Sequence, residues 1–307
     1  MANLEIYMLN VGQADTTVIK TPGGKVIVID AVKAWKIDDI LNLIQVNGGI
    51  FHLIITHPHY DHYSAASYLV DNYIVEKVTL APFWFNGTGT PSYHNMINRI
   101  NDKKIPTRFI SGYERLFPDG GNFPDYEDCL YLELLGPTNS TLKDLDEANI
   151  INPNHLSIIT KLVYKKFAMV SAGDAQMENW AHFDREGLLD EKCDVLKVAH
   201  HGSKRGNQWE RIERLTPKAV VVSSDPDLDD HLPDAIGSII FSQYDNKQGR
   251  DVFLTRDTGT LKIEVTNPAT GGFSVQSYGE GRNDSLTGFN LSSPQNTDWT
   301  TLVQNRI

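Results

Sequence analysis

Cysteine is scarce in this 307-residue chain, limited to Cys129 and Cys193. Two thiols in dissimilar surroundings make neither a disulfide framework nor a cysteine-rich zinc site. Basic side chains are also in deficit: 28 Lys and Arg stand against 39 Asp and Glu, a formal charge of -11. That balance excludes a broad electrostatic grip on nucleic acid. It leaves room for a local basic channel, and bound divalent cations would offset part of it. Long apolar runs are missing, so no window reaches the length that spans a bilayer. The first ten residues carry no basic segment followed by an apolar stretch, so no leader is read there. A soluble, cytoplasmic protein with no membrane partner is the expectation. Hydrophobic residues still make up 40% of the chain, enough for a substantial core. No fixed-period repeat and no linker-like stretch divides it.

Histidine is where the sequence concentrates its chemistry. Three of the ten histidines fall within six residues, His57, His59 and His62, with Asp61 beside the last. The segment follows Phe51-His52-Leu53-Ile54-Ile55, a short apolar run rich in β-branched residues that reads as a buried strand. A helical stretch comes after it. The cluster therefore sits on a loop leaving a strand end, where open α/β folds place ligands. Imidazole nitrogens and a carboxylate oxygen are ordinary ligands for zinc and related cations. An extended loop aims residues two apart at one centre, and the adjacent Asp61-His62 pair suits a second beside it. A solvated polar loop is the weaker alternative, because closely packed histidines are costly without a partner.

Elsewhere the pattern alternates strands and helices. Residues 4–10, 16–21 and 25–30 read as three antiparallel strands, with a Pro22-Gly23-Gly24 turn. Residues 35–46 have the helical period, 75–80 and 107–110 read as strands, and 92–103 as a helix between them. Residues 111–128 read as loop and 136–153 as a long polar excursion. Phe83-Trp84-Phe85 follow a strand. Trp84 and Phe85 are candidates for a substrate-cleft wall or, equally, for ordinary packing under a loop. A hairpin over 156–171 ends in Gly173-Asp174. A carboxylate at a strand end beside glycine suits a shared metal ligand, although the pair alone is a weak signal.

A further apolar strand delivers His200-His201, a second histidine pair at a second strand end. Lys204 and Arg205 follow, placed to meet an anionic group or simply to be solvated. Residues 251–255 and 260–265 read as a closing strand pair, and 272–278 as one more strand. Residues 1–279 are expected to form one domain. Residues 280–307, rich in Asn, Ser, Thr and Gly, read as a polar tail, or as an arm through which an oligomer forms.

The segment Thr56-His57-Pro58-His59-Tyr60-Asp61-His62 resembles the signature of the metallo-β-lactamase superfamily. Asn10-Val11-Gly12-Gln13-Ala14-Asp15, Gly173-Asp174-Ala175, Asp194-Val195-Leu196-Lys197-Val198-Ala199-His200-His201-Gly202-Ser203 and Thr255-Arg256-Asp257-Thr258-Gly259-Thr260 are similar to the hydrolase domain of the DNA-uptake competence protein ComEC. These run in family order over most of the chain. The membrane channel of that protein is absent, so DNA transport is not implied. Tyr63-Ser64-Ala65-Ala66 stands where relatives often carry glycines.

The resemblance implies an αββα sandwich: two mixed sheets with helices on the outer faces and a dinuclear site along one edge. It implies two divalent ions, zinc first and manganese as the alternative. His57 and His59 would hold one ion, Asp61 and His62 the other, and Asp174 both. His200 is favoured over His201 to complete the second site, and His155 is a candidate third histidine for the first. His231 would contact substrate or donate a proton. Asp61 would both ligate and orient a hydroxide activated by the two ions. The implied reaction is hydrolysis of a phosphodiester, possible in a nucleic acid, with Lys204 or Arg205 on the phosphate. The alternative is hydrolysis of a lactone, lactam or carboxylic ester on the same ions. A metal-stabilised binding module without catalysis is the third reading.

Overall fold

Each strand that reaches the site is short, apolar and largely β-branched, and its period of two decides which core each side chain joins. The computed structural model describes residues 3–46, 49–82, 91–121, 129–187, 192–225, 232–278 and 295–298. In β1 (Leu4–Met8), Leu4, Ile6 and Met8 enter the core between two sheets, and Tyr7 enters an outer core under helices. Strands β2 (Thr17–Lys20) and β3 (Val26–Ile29) continue antiparallel from β1. Helix α1 (Ala34–Leu43) then returns the chain, so β4 (His52–Ile55) lies parallel to β3. After the short α2 (Tyr60–Tyr63), helices α3 (Ala66–Asn72) and α4 (Pro91–Asp102) carry the crossovers to the parallel strands β5 (Val78–Leu80) and β6 (Thr107–Phe109).

The second sheet repeats that plan. Strands β7 (Tyr113–Leu116), β8 (Leu130–Leu135), β9 (Ile159–Tyr164) and β10 (Phe167–Ser171) are antiparallel neighbours. Helix α5 (Asn139–Glu147) lies between β8 and β9 in the chain. Helices α6 (Met177–Arg185), α7 (Trp209–Leu215) and α8 (Ala235–Asp245) then alternate with β11 (Val195–Lys197), β12 (Ala219–Val222) and β13 (Asp251–Leu254), all parallel. The turn of helix α9 (Thr255–Thr258) leads to β14 (Thr260–Asn267), β15 (Gly272–Tyr278) and β16 (Gln295–Asp298). The sheet orders are β16-β15-β14-β1-β2-β3-β4-β5-β6 and β13-β12-β11-β10-β9-β8-β7. One core lies between the sheets, one under α1, α3 and α4, and one under α6, α7 and α8. Two mixed sheets with helices outside are the expected αββα sandwich. No helix among the described residues is long and apolar enough to cross a membrane.

Three expectations change: the pairing of two strands and the reading of two stretches as irregular. Residues 251–255 and 260–265 do not pair: β13 runs parallel to β12, and β14 runs antiparallel to β1 in the other sheet. Alternation identifies strands but not their neighbours, and α9 with Gly259 at φ 76 carries the chain between sheets. The stretch 111–128 contains β7, and the polar excursion contains α5. Thr138 caps α5, its hydroxyl accepting from the Thr141 amide at 3.2 Å, while Leu142 and Leu145 turn inward. In the expected tail, 295–298 pair with β15, and the rest of 280–307 lies outside the described residues.

What this layout does for function is local. The C-terminal ends of β3, β4, β10 and β11 meet at one edge of the sandwich. Asp30, the 56–62 loop, Asp174 and the His200–His201 turn follow those four ends. The edge is stitched across the sheets by the Ile158 amide donating to the Thr56 carbonyl at 3.0 Å.

Candidate metal centre

Asp174 organises the edge by dividing its two carboxylate oxygens. Oδ2 faces His57 Nε2 at 3.5 Å and His200 Nε2 at 3.9 Å. Oδ1 faces His62 Nε2 at 3.2 Å and His201 Nε2 at 3.8 Å. His59 Nδ1 lies 3.0 Å from His57 Nε2, and Asp61 Oδ2 lies 3.4 Å from His201 Nε2. Two groups of close donor atoms share Asp174, namely His57, His59 and Asp174, and Asp61, His62, Asp174 and His201, while a third, Asp15, Asp30 and His62, lies behind them. Gly173, at φ 52, permits the turn that presents Asp174, and a Cβ there would meet the Thr56 side chain at 3.1 Å. The Asp174 amide donates to Ser157 Oγ at 3.2 Å.

The donor set fits metal. Asp174 Oδ1, His62 Nε2 and His201 Nε2 are buried and have no hydrogen-bond partner, yet they converge. Such atoms are costly to bury alone and are ligands in waiting. The protonation of the rings beside them agrees in part, since, against its burial, Asp174 and Asp30 hold His62 well above the ordinary imidazole value. Burial pushes His57 well below the ordinary imidazole value, and burial also lowers His59 and His200, so these rings are neutral with lone pairs free. Burial alone would raise Asp174, but His62, His201 and His57 together hold it well below the carboxylate range. Asp61 is likewise held low, against its own burial, by His201 and His62. The arrangement has an open side: the Asp61 side chain is 40% exposed and His200 24%, whereas His57, His62, Asp174 and His201 are buried.

Two expected ligands stand differently. His201, not His200, belongs to the four-residue group; His200 faces the other oxygen of Asp174 from the open side. The cause is backbone: His200, His201 and Gly202 take φ of 46°, 50° and 90°, so successive side chains splay, their ring centroids 6.3 Å apart. His155 lies outside both groups. Its Nε2 is 3.3 Å from Glu178 Oε2, and its Nδ1 accepts from the Asn152 amide at 3.1 Å, closing a capping box on the 3-10 turn Pro153–Leu156. Lys204 and Arg205 are exposed on the turn after His201, and the Lys204 amide donates to Asp234 at 2.9 Å. His231, Trp84 and Phe85 lie outside the described residues.

Other residues of the centre escape sequence reasoning. Asp30 accepts from the Thr56 amide at 2.7 Å and hydroxyl at 2.8 Å, and contacts His62 Nδ1 at 2.7 Å. That contact assigns the His62 proton to Nδ1 and leaves Nε2 for the site. Asp15 and Lys197 form a buried ion pair behind His201. A carboxylate at the end of the 26–29 run was the available signal for Asp30. Nothing in sequence links Asp15 to a lysine 182 positions away.

Taken together, the sandwich and its edge cluster are those of a metallo-β-lactamase fold. Residues 9–133, less than half of the chain, match the model of the metallo-beta-lactamase superfamily. No curated protein matches the sequence. Among solved structures, a variant of CmlA, a diiron β-hydroxylase from Streptomyces venezuelae, superposes with a TM-score of 0.52 at 14% identity. The match covers 83% of this chain and 52% of the hydroxylase, so the chain spans about half that protein's length. Igni18, a metallo hydrolase from Ignicoccus hospitalis, gives 0.48 at 14% identity over 84% of this chain and 98% of its own. The short form of human tRNase Z gives 0.42 at 12% over 70% and 91%. At these identities the likeness is one of fold.

Proposed function

We propose that the protein is a dinuclear metal-dependent hydrolase acting on a phosphodiester. The observation that carries the dinuclear part is the division of Asp174, one oxygen toward His57 and the other toward His62 and His201. His57 and His59 would hold one ion, Asp61, His62 and His201 the other, and Asp174 would serve both. Zinc suits these nitrogen and oxygen donors, with manganese as the alternative. Two such ions supply Lewis acidity, lowering the pKa of a water and offsetting charge that builds on the substrate.

The chain's own residues supply the rest. Substrate enters on the side where Asp61 and His200 reach solvent, because the remaining ligands are covered. Asp61, ionised at neutral pH, accepts a hydrogen bond from the attacking water and so orients it. Lys204 and Arg205 are exposed cations on the turn that follows His201 and pair with non-bridging phosphate oxygens. The charge of -11 favours a short phosphodiester over a long nucleic-acid tract.

The test is a charge reversal. Each charge-assisted contact contributes roughly 1–3 kcal/mol. Lys204→Glu with Arg205→Glu should therefore cut kcat/KM on a phosphodiester by at least about tenfold, with metal content unchanged. A neutral lactone should be little affected. Turnover of lactones or cephalosporins by the zinc and manganese forms, with phosphodiesters untouched, overturns the phosphodiesterase reading in favour of acyl hydrolysis.

A further inference from the structure

A buried ion pair joins the two sheets directly behind the centre. Asp15 comes from the turn between β1 and β2 in one sheet, and Lys197 ends β11 in the other. Lys197 Nζ donates to Asp15 Oδ2, and both residues are almost wholly buried. Burying such a pair costs several kcal/mol per ion in desolvation, and an apolar pair of similar volume would hold the sheets equally well. Stability alone is therefore a poor reason for it.

The geometry suggests the reason. Lys197 takes only one of the two carboxylate oxygens. The other, Asp15 Oδ1, has no hydrogen-bond partner and lies 3.7 Å from His201 Nδ1, which has none either. The Asp15 amide donates to the Asp61 carbonyl at 3.1 Å, so the same residue also fixes the backbone of another member of the group. The neighbouring imidazole shows the completed version: His62 turns Nδ1 to the buried carboxylate of Asp30 at 2.7 Å and Nε2 toward Asp174. His201 has the same polarity, Nδ1 toward Asp15 and Nε2 toward Asp61 and Asp174.

We propose that Asp15, held by Lys197, is the positioning residue of His201, fixing its proton on Nδ1 so that Nε2 is presented to the second ion. A carboxylate behind an imidazole ligand sets ring orientation and tautomer and raises ligand basicity. Lys197 keeps Asp15 ionised and immobile by drawing its other oxygen away from the ring. The pair thus makes the second position depend on the registration of the two sheets. The inference rests on the dinuclear reading, but its first test does not.

That first test is nitrogen-15 NMR of histidine-labelled, metal-free protein, which distinguishes the two neutral tautomers and the doubly protonated ring. His201 should be protonated on Nδ1 in the wild type and should lose that preference in Asp15→Asn. The second test is equilibrium dialysis against zinc. Asp15→Asn should weaken the second ion about 10- to 100-fold and leave the first in place. Because Asp15→Asn strands Lys197, the double variant Asp15→Asn with Lys197→Met is measured beside it. It should recover thermal stability but not second-ion affinity. Recovery of both would make the pair structural only and overturn the proposal, as would an unchanged His201 tautomer. A wild type that binds fewer than two ions would sink the dinuclear reading, while the tautomer still decides the role of Asp15.

Discussion

Asp174 belongs to both edge groups of donor atoms, with one oxygen turned toward each under the dinuclear proposal. Replacing it should therefore act on both positions: Asp174→Ala should lower occupancy throughout, whereas Asp61→Ala should empty mainly the second. By the same geometry His201→Ala should lose the second ion, His200→Ala should lose less, and His155→Ala should leave metal content unchanged, because both His155 nitrogens are already occupied. Elemental analysis of the purified variants checks all five, and full dinuclear occupancy in Asp174→Ala would remove the bridging role. Which side chains the fold brings together was legible where spacing is local. His57, His59, Asp61 and His62 are aimed by one loop, so their pattern is visible in seven letters. Sequence could not tell the placement of His200 from that of His201, because which of two adjacent rings faces inward depends on three successive left-handed residues. Asp15, Asp30 and Lys197 were invisible for another reason: their contacts join distant parts of the chain, and each looks like an ordinary polar residue beside a strand.

Among the elements, α8 is the one that presses on the histidine turn. A Cβ at Gly237 would sit 2.0 Å from the Gly202 carbonyl oxygen, and one at Gly202 would meet Pro233 at 2.8 Å and the Phe241 ring at 2.9 Å. Helix and turn are thus in close contact, which adds to the hydrogen bonds that Asn207 makes to Ala199 and Ser203 on either side of the turn. An ordinary helical glycine gains about 1 kcal/mol on replacement by alanine. Here a backbone carbonyl blocks the methyl, and such overpacking typically costs about 1–3 kcal/mol. Gly237→Ala should consequently lower the melting temperature and, by shifting the His200–His201 turn, weaken the second ion. A rise in melting temperature with unchanged zinc affinity would show that the contact is slack. The elements themselves were mostly legible, since most of β1 to β6 and β8 to β12 are short apolar runs, many of them buried on both faces. The exceptions share a cause. For α5 the cap Thr138 and the apolar pair Leu142 and Leu145 were present but diluted by polar neighbours. For β13 and β14 the strands were right and the partner wrong, because pairing across two sheets is a property of the whole fold and leaves no periodic trace.

At the scale of the whole molecule, two sheets bury titratable groups away from the centre as well as within it, and His52 is the clearest. It lies on β4, fully covered, with Nε2 2.8 Å from Thr79 Oγ1 and Nδ1 without a partner. Burial first, and Lys77 second, pull its pKa down to about 3. The sign of the consequence is fixed by linkage. The folded pKa is below the unfolded value of about 6.5, so the unfolded chain takes up a proton that the folded one refuses. His52 therefore costs nothing above pH 6.5 or so, and stability falls progressively as pH drops from there toward 3. Between pH 7 and pH 5 the loss from this one ring should be about 2 kcal/mol. His52→Gln cannot titrate, and its amide still reaches Thr79. Its unfolding free energy, measured in denaturant with a chelator present so that metal release contributes equally, should fall less than that of the wild type over the same range, by about the same 2 kcal/mol. The centre's own histidines titrate identically in both proteins and cancel in the comparison. Parallel stability curves for the two would mean that His52 protonates as readily folded as unfolded, and that the middle of the first sheet admits water where its side chains show none.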